Sequence, residues 1–207
     1  MRTNSKKKTL VTVQMALLVA LVVVLQMISA LIPPIGGMVS ITLTLIPVVV
    51  GGVLFGKGKG AMLGFAFGVI VMINCIVALD PGGNILWNAN PFFTALICLV
   101  KGTAAGFFPA WFYELIRGKG ENVSEKRNFA AVVIAALSAP IINTGLFLVG
   151  MFAFFLNILE AWAGGTNIIV YVLVGLAGIN FIVEFLINTI LSPTIVRITD
   201  VVRKKVK

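Results

Sequence analysis

The chain predicts an all-α integral membrane protein, a six-transmembrane-helix bundle with both termini cytoplasmic. Three observations carry that expectation. Hydrophobic residues make up 59% of the 207 and charged residues 11%, with a mean hydropathy of +1.09; soluble domains carry about a quarter charged residues. The apolar residues fall into six runs separated by short Gly, Pro or charged breaks, on the scale of the ~20 residues a helix needs to cross a bilayer. Of the 16 Lys and Arg, all but Lys101 fall in the tails and alternate breaks, the asymmetry that sets membrane orientation. Residues 1–207 read as one membrane domain, with no room for a separate soluble one.

The first span covers residues 9–32. Arg2 and Lys6 to Lys8 before an apolar run imitate a signal peptide, but the run continues from Thr9 to Ile32 and no small-residue cleavage site follows. An h-region is ~7–15 residues, so a retained helix is expected. It stops at Pro33-Pro34, since proline removes a backbone donor and clashes with the preceding turn. A shorter second span, 39–55, contains Pro47 and leads into GKGKG (56–60), read as a tight basic turn. The third span, 61–79, ends at Asp80-Pro81-Gly82-Gly83. Pro91 opens the fourth, 91–115, and the charged stretch RGKGENVSEKRN (117–128) separates it from the fifth, 129–157. A loop from Glu160 to Asn167 precedes the sixth, 168–196, and the basic tail RKKVK follows. With the N-terminus inside, every basic cluster is cytoplasmic and the outer loops hold only Asp80 and Glu160 as charges.

Several function classes are excluded. The net charge of +9 sits in short clusters suited to anionic lipid heads rather than to nucleic acid. With no histidine and two cysteines, Cys75 and Cys98, each inside an apolar run, the chain lacks His-based catalysis and zinc sites of the usual spacing. No cofactor or metal is expected. The cysteines read as small buried hydrophobes, and a disulfide between them is not expected. Gly51 to Gly58, GGVLFGKG, comes close to the phosphate-binding pattern G-x-x-x-x-G-K-[ST], but Gly58 has no hydroxyl for magnesium and the run follows a membrane helix rather than a strand. If ATP drives this protein, another polypeptide hydrolyses it. Neither metal-clustered aspartates nor a Ser–base pair supports an enzyme.

The polar residues inside the spans are few. Lys101 lies ten residues from Pro91, about 15 Å deep at ~1.5 Å per residue. A cation at that depth is costly unless paired or facing water, which makes it a candidate site. The competing reading is a structural ion pair. The sixth span carries Asn180, Glu184 and Asn188 at i, i+4, i+8, one helix face; the fifth carries Asn143 and Thr144. Lys101, Asn143 and Asn180 fall at comparable depth, with Glu184 about 6 Å below Asn180. A Lys101–Glu184 pair is thus geometrically open, as is a free Lys101 binding a carboxylate or phosphate. The outer stretches DPGGNILWNANPFF and LNILEAWAGGTN read either as turns with interface-anchoring tryptophans or as a lid over a ligand from outside. On the lid reading, Trp87, Asn88, Asn90 and Trp162 join Lys101, Asn143, Asn180 and Glu184 as substrate-binding candidates. Small residues at four-residue spacing (Gly60, Gly64, Gly68; Gly102, Gly106; Ala131, Ala135, Ala139) suit internal packing between membrane helices. Ala16 and Ala20 break a run of Leu, Val and Met in the first span, leaving a shallow groove suited to a partner helix.

These features resemble the substrate-binding S component of an energy-coupling factor (ECF) vitamin transporter. The likeness rests on six short helices, Ala16-x-x-x-Ala20, a short second helix, LTLIPVVVGGVLFGKGKGAMLGFAFGVI (43–70) and Lys101-Gly102. The IPVVVGGVLFG and NPF…KG…G stretches, with Asn143-Thr144, look most like the pantothenate type. Similar proteins often have Arg where Lys101 stands, so the cation is kept but the planar fork is lost. The resemblance implies a multi-pass subunit of a prokaryotic plasma membrane, without ATPase activity. It would capture a water-soluble vitamin, pantothenate as the best guess, from outside. Release inside would require a transmembrane coupling protein (the T component) and two cytoplasmic ATPases, with Ala16 and Ala20 facing the coupling protein. The alternative is a self-sufficient proton-coupled secondary transporter of a small anionic or dipolar solute, using Glu184 beside Lys101.

Overall fold

The computed structural model describes residues 2–31, 43–118, 123–176 and 178–206; within the helices, the side chains of residues 2–8, 179–180, 192, 196 and 198–206 lie outside the description. The described residues are helical with no strand: α1 (Arg2–Leu31), α2 (Leu45–Phe55), α3 (Lys57–Ile76), α4 (Pro81–Ala89), α5 (Pro91–Arg117), α6 (Glu125–Phe154), α7 (Leu156–Ala163), α8 (Ile168–Val170), a π-helical segment (Tyr171–Leu176) and α9 (Gly178–Val206). Four helices are long and apolar enough to cross a membrane, Thr9–Leu31, Lys57–Ile76, Pro91–Arg117 and Glu125–Phe154; the bent pair Leu156–Ala163 and Ile168–Leu176 would make a fifth. Their outward faces are apolar, with Leu17, Leu115, Val149, Leu173 and Ile190 all largely exposed. Such a surface is stable only against lipid.

Local chemistry sets the boundaries. Asp80, Asn90 and Ser124 each accept a backbone N–H three residues on, and Pro81 and Pro91 take the first helical positions of α4 and α5, where the missing proline N–H has no helical partner to lose. Gly56 (φ +91°) and Gly118 (φ +76°) end α2 and α5 in conformations that favour glycine.

Four sequence expectations change. GKGKG is not a turn: α3 begins at Lys57, and the reversal is confined to Gly56. A helix start there is favoured because Glu114 accepts the Lys57 N–H at 3.1 Å and lies 3.9 Å from the Lys57 ammonium, placing negative charge at the helix N-terminus. The second span is represented by the 11 residues of α2, about 16 Å long and too short to cross unaided; residues 39–42 lie outside the described residues. The outer stretches are not open loops, since DPGGNILWNA folds into α4 and LNILEAWA into α7. The sixth span is not uniformly α-helical: Tyr171–Leu176 is π-helical between Ile168–Val170 and α9 (Gly178–Val206), and Ile168–Leu176 turns 88° from Leu156–Ala163 before it.

Packing is organised by glycine. The α3–α5 interface is the most extensive in the molecule. A Cβ at Gly68 would sit 2.6 Å from the Cys98 carbonyl oxygen, and one at Gly102 2.6 Å from that of Gly64. Gly60, Gly64 and Gly106 are equally intolerant, each meeting backbone of the facing helix. The backbones therefore touch, as small residues allow where lipid provides no hydrophobic drive for association. Ala131, Ala135 and Ala139 of α6 are fully buried, the packing role expected of them. Two apolar cores result. The larger joins α1, α2, α3, α5, α6 and Ile195 of α9; the smaller, around Leu86, Ile97, Met151, Phe155, Leu159, Val172 and Leu176, joins α4 through α7 with the π-helical segment.

Candidate functional site

Lys101 sits where these two cores meet. It projects from α5 one residue before Gly102, so the glycine seam holds it against α3, and it is only 9% exposed. Its ammonium lies 5.0 Å from the centroid of the Phe147 ring, which reaches in from α6; a ring face attracts a cation, more strongly when both are desolvated. The small cavity around it, of about 20 Å³, is lined by Val71 and Cys75 of α3, Asp80 at the cap of α4, Gly83 and Leu86 of α4, Thr94, Ile97 and Cys98 of α5, and Phe147. That is room for about one water.

Asp80 is the carboxylate of this cavity. Its oxygen accepts the Gly83 N–H at 3.2 Å. Burial pushes the carboxyl above its ordinary range, while the Gly83 N–H and the Lys101 charge pull it back. Among the described residues, Lys101 makes no salt bridge. The Lys101–Glu184 pair that the sequence left open is not formed. Glu184 is buried on α9, which packs against α6 and α2, and α9 contributes nothing to the cavity wall among the described residues.

The other sequence candidates divide into groups. Asn143 is one turn from Phe147 on the same face of α6. It is 5% exposed, and its Oδ1 has no hydrogen-bond partner among the described residues. Leaving a buried acceptor unpaired costs about 1–3 kcal/mol, but Asn143 itself lines neither this cavity nor the second depression described below. Asn88 and Asn90 do not reach the cavity. The Asn88 amide donates to the Asn84 carbonyl at 3.0 Å, and Asn90 caps α5 by accepting the Phe93 N–H. Trp87 packs against the larger core and Trp162 against the smaller; neither lines the cavity. The Asn180 side chain lies outside the described residues.

A second, open depression of about 350 Å³ lies at the N-terminal end of α5 and the C-terminal end of α6, lined by Asn90, Phe154, Phe155, Leu156, Asn157 and neighbours. This volume falls in the range of small-molecule sites, roughly 300–1,000 Å³. The two lie one turn apart along α5, where the Thr94 hydroxyl of the cavity donates to the carbonyl of Asn90, which lines the depression, at 2.9 Å. Phe93 of α5 and Phe154 of α6 stack with ring centroids 4.2 Å apart. The arrangement is an open, amide-rimmed vestibule one helical turn from a small pocket holding one cation. Asp80, Thr94 and Phe147 were missed in the sequence. Asp80 had a signal, as an acid before Pro-Gly-Gly at a span end, and Phe147 had one in its i+4 spacing from Asn143.

Midway along α1, Ala16 and Ala20 are both exposed, flanked by Leu17 at 68% exposure, with an apolar groove of about 360 Å³ between α1 and α2 alongside.

The apolar, outward-facing helices and one buried cation are those of a membrane-spanning helical bundle. Residues 8–196 match the family model of the ECF transporter substrate-specific component, and the chain belongs to that family. Members take a small-molecule substrate and work with partner coupling and ATPase components. The chain is also 27% identical, over 88% of its length and 89% of the relative's, to the pantothenic acid transporter PanT of Lactococcus lactis subsp. cremoris (strain MG1363).

Proposed function

We propose that this chain is the vitamin-capturing S component of a prokaryotic ECF importer, with pantothenate as its ligand. The ligand enters from outside through the vestibule and leaves inward when a coupling protein and two ATPases act on the bundle. The Lys101 ammonium, buried in its cavity with a partly buried Asp80 as counter-charge, carries the reading. It offers a desolvated partner to one carboxylate, and Asn143 Oδ1, one turn from Phe147, would offer an acceptor to a ligand N–H or O–H once the cavity widens. Pantothenate has one carboxylate, an amide and two hydroxyls, which suits that set. The likeness to PanT points to the same ligand.

The inner cavity is far smaller than a vitamin, so binding requires it to widen. α4 is the element suited to move. Its ends are the Asp80 and Asn90 caps, it is nine residues long, and its tie to the end of α3 is the Asn84 amide donating to the Cys75 carbonyl at 2.9 Å. Isothermal titration of the purified protein against a panel of water-soluble vitamins tests the assignment. Pantothenate is expected to bind and thiamine, riboflavin and pyridoxine not to; a panel without any binding ligand would remove the proposal.

A further inference from the structure

Neither the substrate reading nor the helix packing uses the two cysteines, which are the only thiols in the chain. Their spacing in sequence gave no reason to pair them, yet the fold does so. Cys75 lies one residue from the end of α3 and Cys98 two turns into α5; both are buried and unbonded. The glycine seam brings the two backbones into contact two turns before Cys75 and at Cys98 itself, where a Cβ at Gly68 would lie 2.6 Å from the Cys98 carbonyl oxygen. Side chains on a helix lean toward its N-terminus. In this antiparallel pair Cys75 therefore leans toward Cys98, and Cys98 toward Cys75. Both thiols lie in the wall of the same small Lys101 cavity.

We propose that Cys75 and Cys98 form a reversible dithiol–disulfide site, oxidised by a hydroperoxide such as hydrogen peroxide. The reactive form of a thiol is its thiolate, which a neighbouring cation favours, and Lys101 lines the same cavity. Cys98, three residues from Lys101 on α5 and so on the same helix face, is the nucleophile. Its thiolate attacks one peroxide oxygen, the O–O bond breaks, and a sulfenic acid forms while hydroxide leaves and takes up the thiol proton as water. Cys75 then displaces the sulfenic oxygen as a second water, and the S–S bond closes. The two thiols lose two protons and two electrons, and the peroxide is reduced to two waters. Closing the S–S bond to the ~2.05 Å of a disulfide requires the two side chains to rotate toward each other across the cavity they share. Peroxide is little larger than the single water the cavity admits. In the proposed orientation the pair lies toward the outer face, where disulfides persist. The bond would fasten α3 to α5 across the wall that a ligand must widen.

The test uses the wild-type chain, reduced in detergent micelles and exposed to hydrogen peroxide, then denatured, alkylated and mapped by mass spectrometry. The expected product is a monomer that has lost two hydrogens, has no alkylatable thiol and contains a Cys75–Cys98 linked peptide, all reversed by dithiothreitol. It should form at least tenfold faster than in protein unfolded in sodium dodecyl sulfate before oxidation. Cys98→Ser should leave Cys75 alkylatable under the same exposure. Two free thiols, disulfide-linked dimers, sulfinic acid without a linked peptide, or equal rates in folded and unfolded protein would each overturn the proposal. The readout is independent of which ligand the cavity takes.

Discussion

Gly64→Ala adds a single methyl group in the middle of the helix seam, where the facing backbone leaves it no space. The new Cβ would overlap the Gly102 carbonyl oxygen and lie 3.0 Å from both the Gly102 carbonyl carbon and the Gly106 nitrogen. Every one of these is backbone, so relief requires α3 and α5 to separate rather than a side chain to rotate. Overpacking costs about 1–3 kcal/mol, and rigid neighbours put this site at the upper end. Alanine returns about 1 kcal/mol through helix propensity, leaving a loss of about 2 kcal/mol. For a chain of this length that lowers Tm by about 4–8 °C. Gly145→Ala is the matched control: it is also mid-helix, but a Cβ there meets nothing within 4 Å. It should hold or raise Tm, by up to about 4 °C. Thermal melts of both variants in detergent decide the matter. If Gly64→Ala melts with or above the control, the backbone contact that positions Lys101 is not as close as described.

Two further outcomes follow from the site. Burial raises the Asp80 carboxyl, so the folded state holds its proton more tightly than the unfolded chain. That contribution to stability is complete below the ordinary carboxylate range and is lost as pH rises through the raised folded value. Asp80→Asn keeps the cap, since Asn and Asp cap about equally well, so it should raise Tm at neutral pH and converge with wild type in acid. Melting curves across pH read this out, and a constant difference at all pH would count against it. Replacing the exposed Ala16 or Ala20 by Phe should leave vitamin binding in detergent within about twofold. Uptake in cells supplying the coupling protein and ATPases should fall at least tenfold; a loss of binding instead would show that α1 supports the site rather than the partner.

Much of the membrane-helix framework was legible because hydropathy and proline need no tertiary context. The apolar runs that became α1, α3, α5 and α6 stand out by length alone, and Pro91 marks its helix start to the residue. What failed has a common physical cause. Short helices such as α4 and α7 have Gly-rich or mixed compositions, and their caps and the core they cover stabilise them; Leu86 and Leu159 are buried in the same cluster. Lys101 and Asn143 were visible as polar residues in apolar runs. Depth counted along helices suggested Glu184 as a neighbour of Lys101, but depth says nothing about which helices touch. The glycine stripes were the overlooked guide, since their matching spacing on α3 and α5 identifies Lys101's neighbours as α3 and the Asp80 turn that follows it.

The central claim is that the buried Lys101 ammonium holds the carboxylate of the substrate. Pantothenate and its alcohol, pantothenol, differ only in that group, so their affinities should be measured by titration in wild type and in Lys101→Met. Removing one partner of a buried charge pair typically costs about 2–5 kcal/mol. Wild type should therefore prefer pantothenate by ~30-fold or more, and Lys101→Met should bind the two about equally. The same preference in both proteins would contradict the claim.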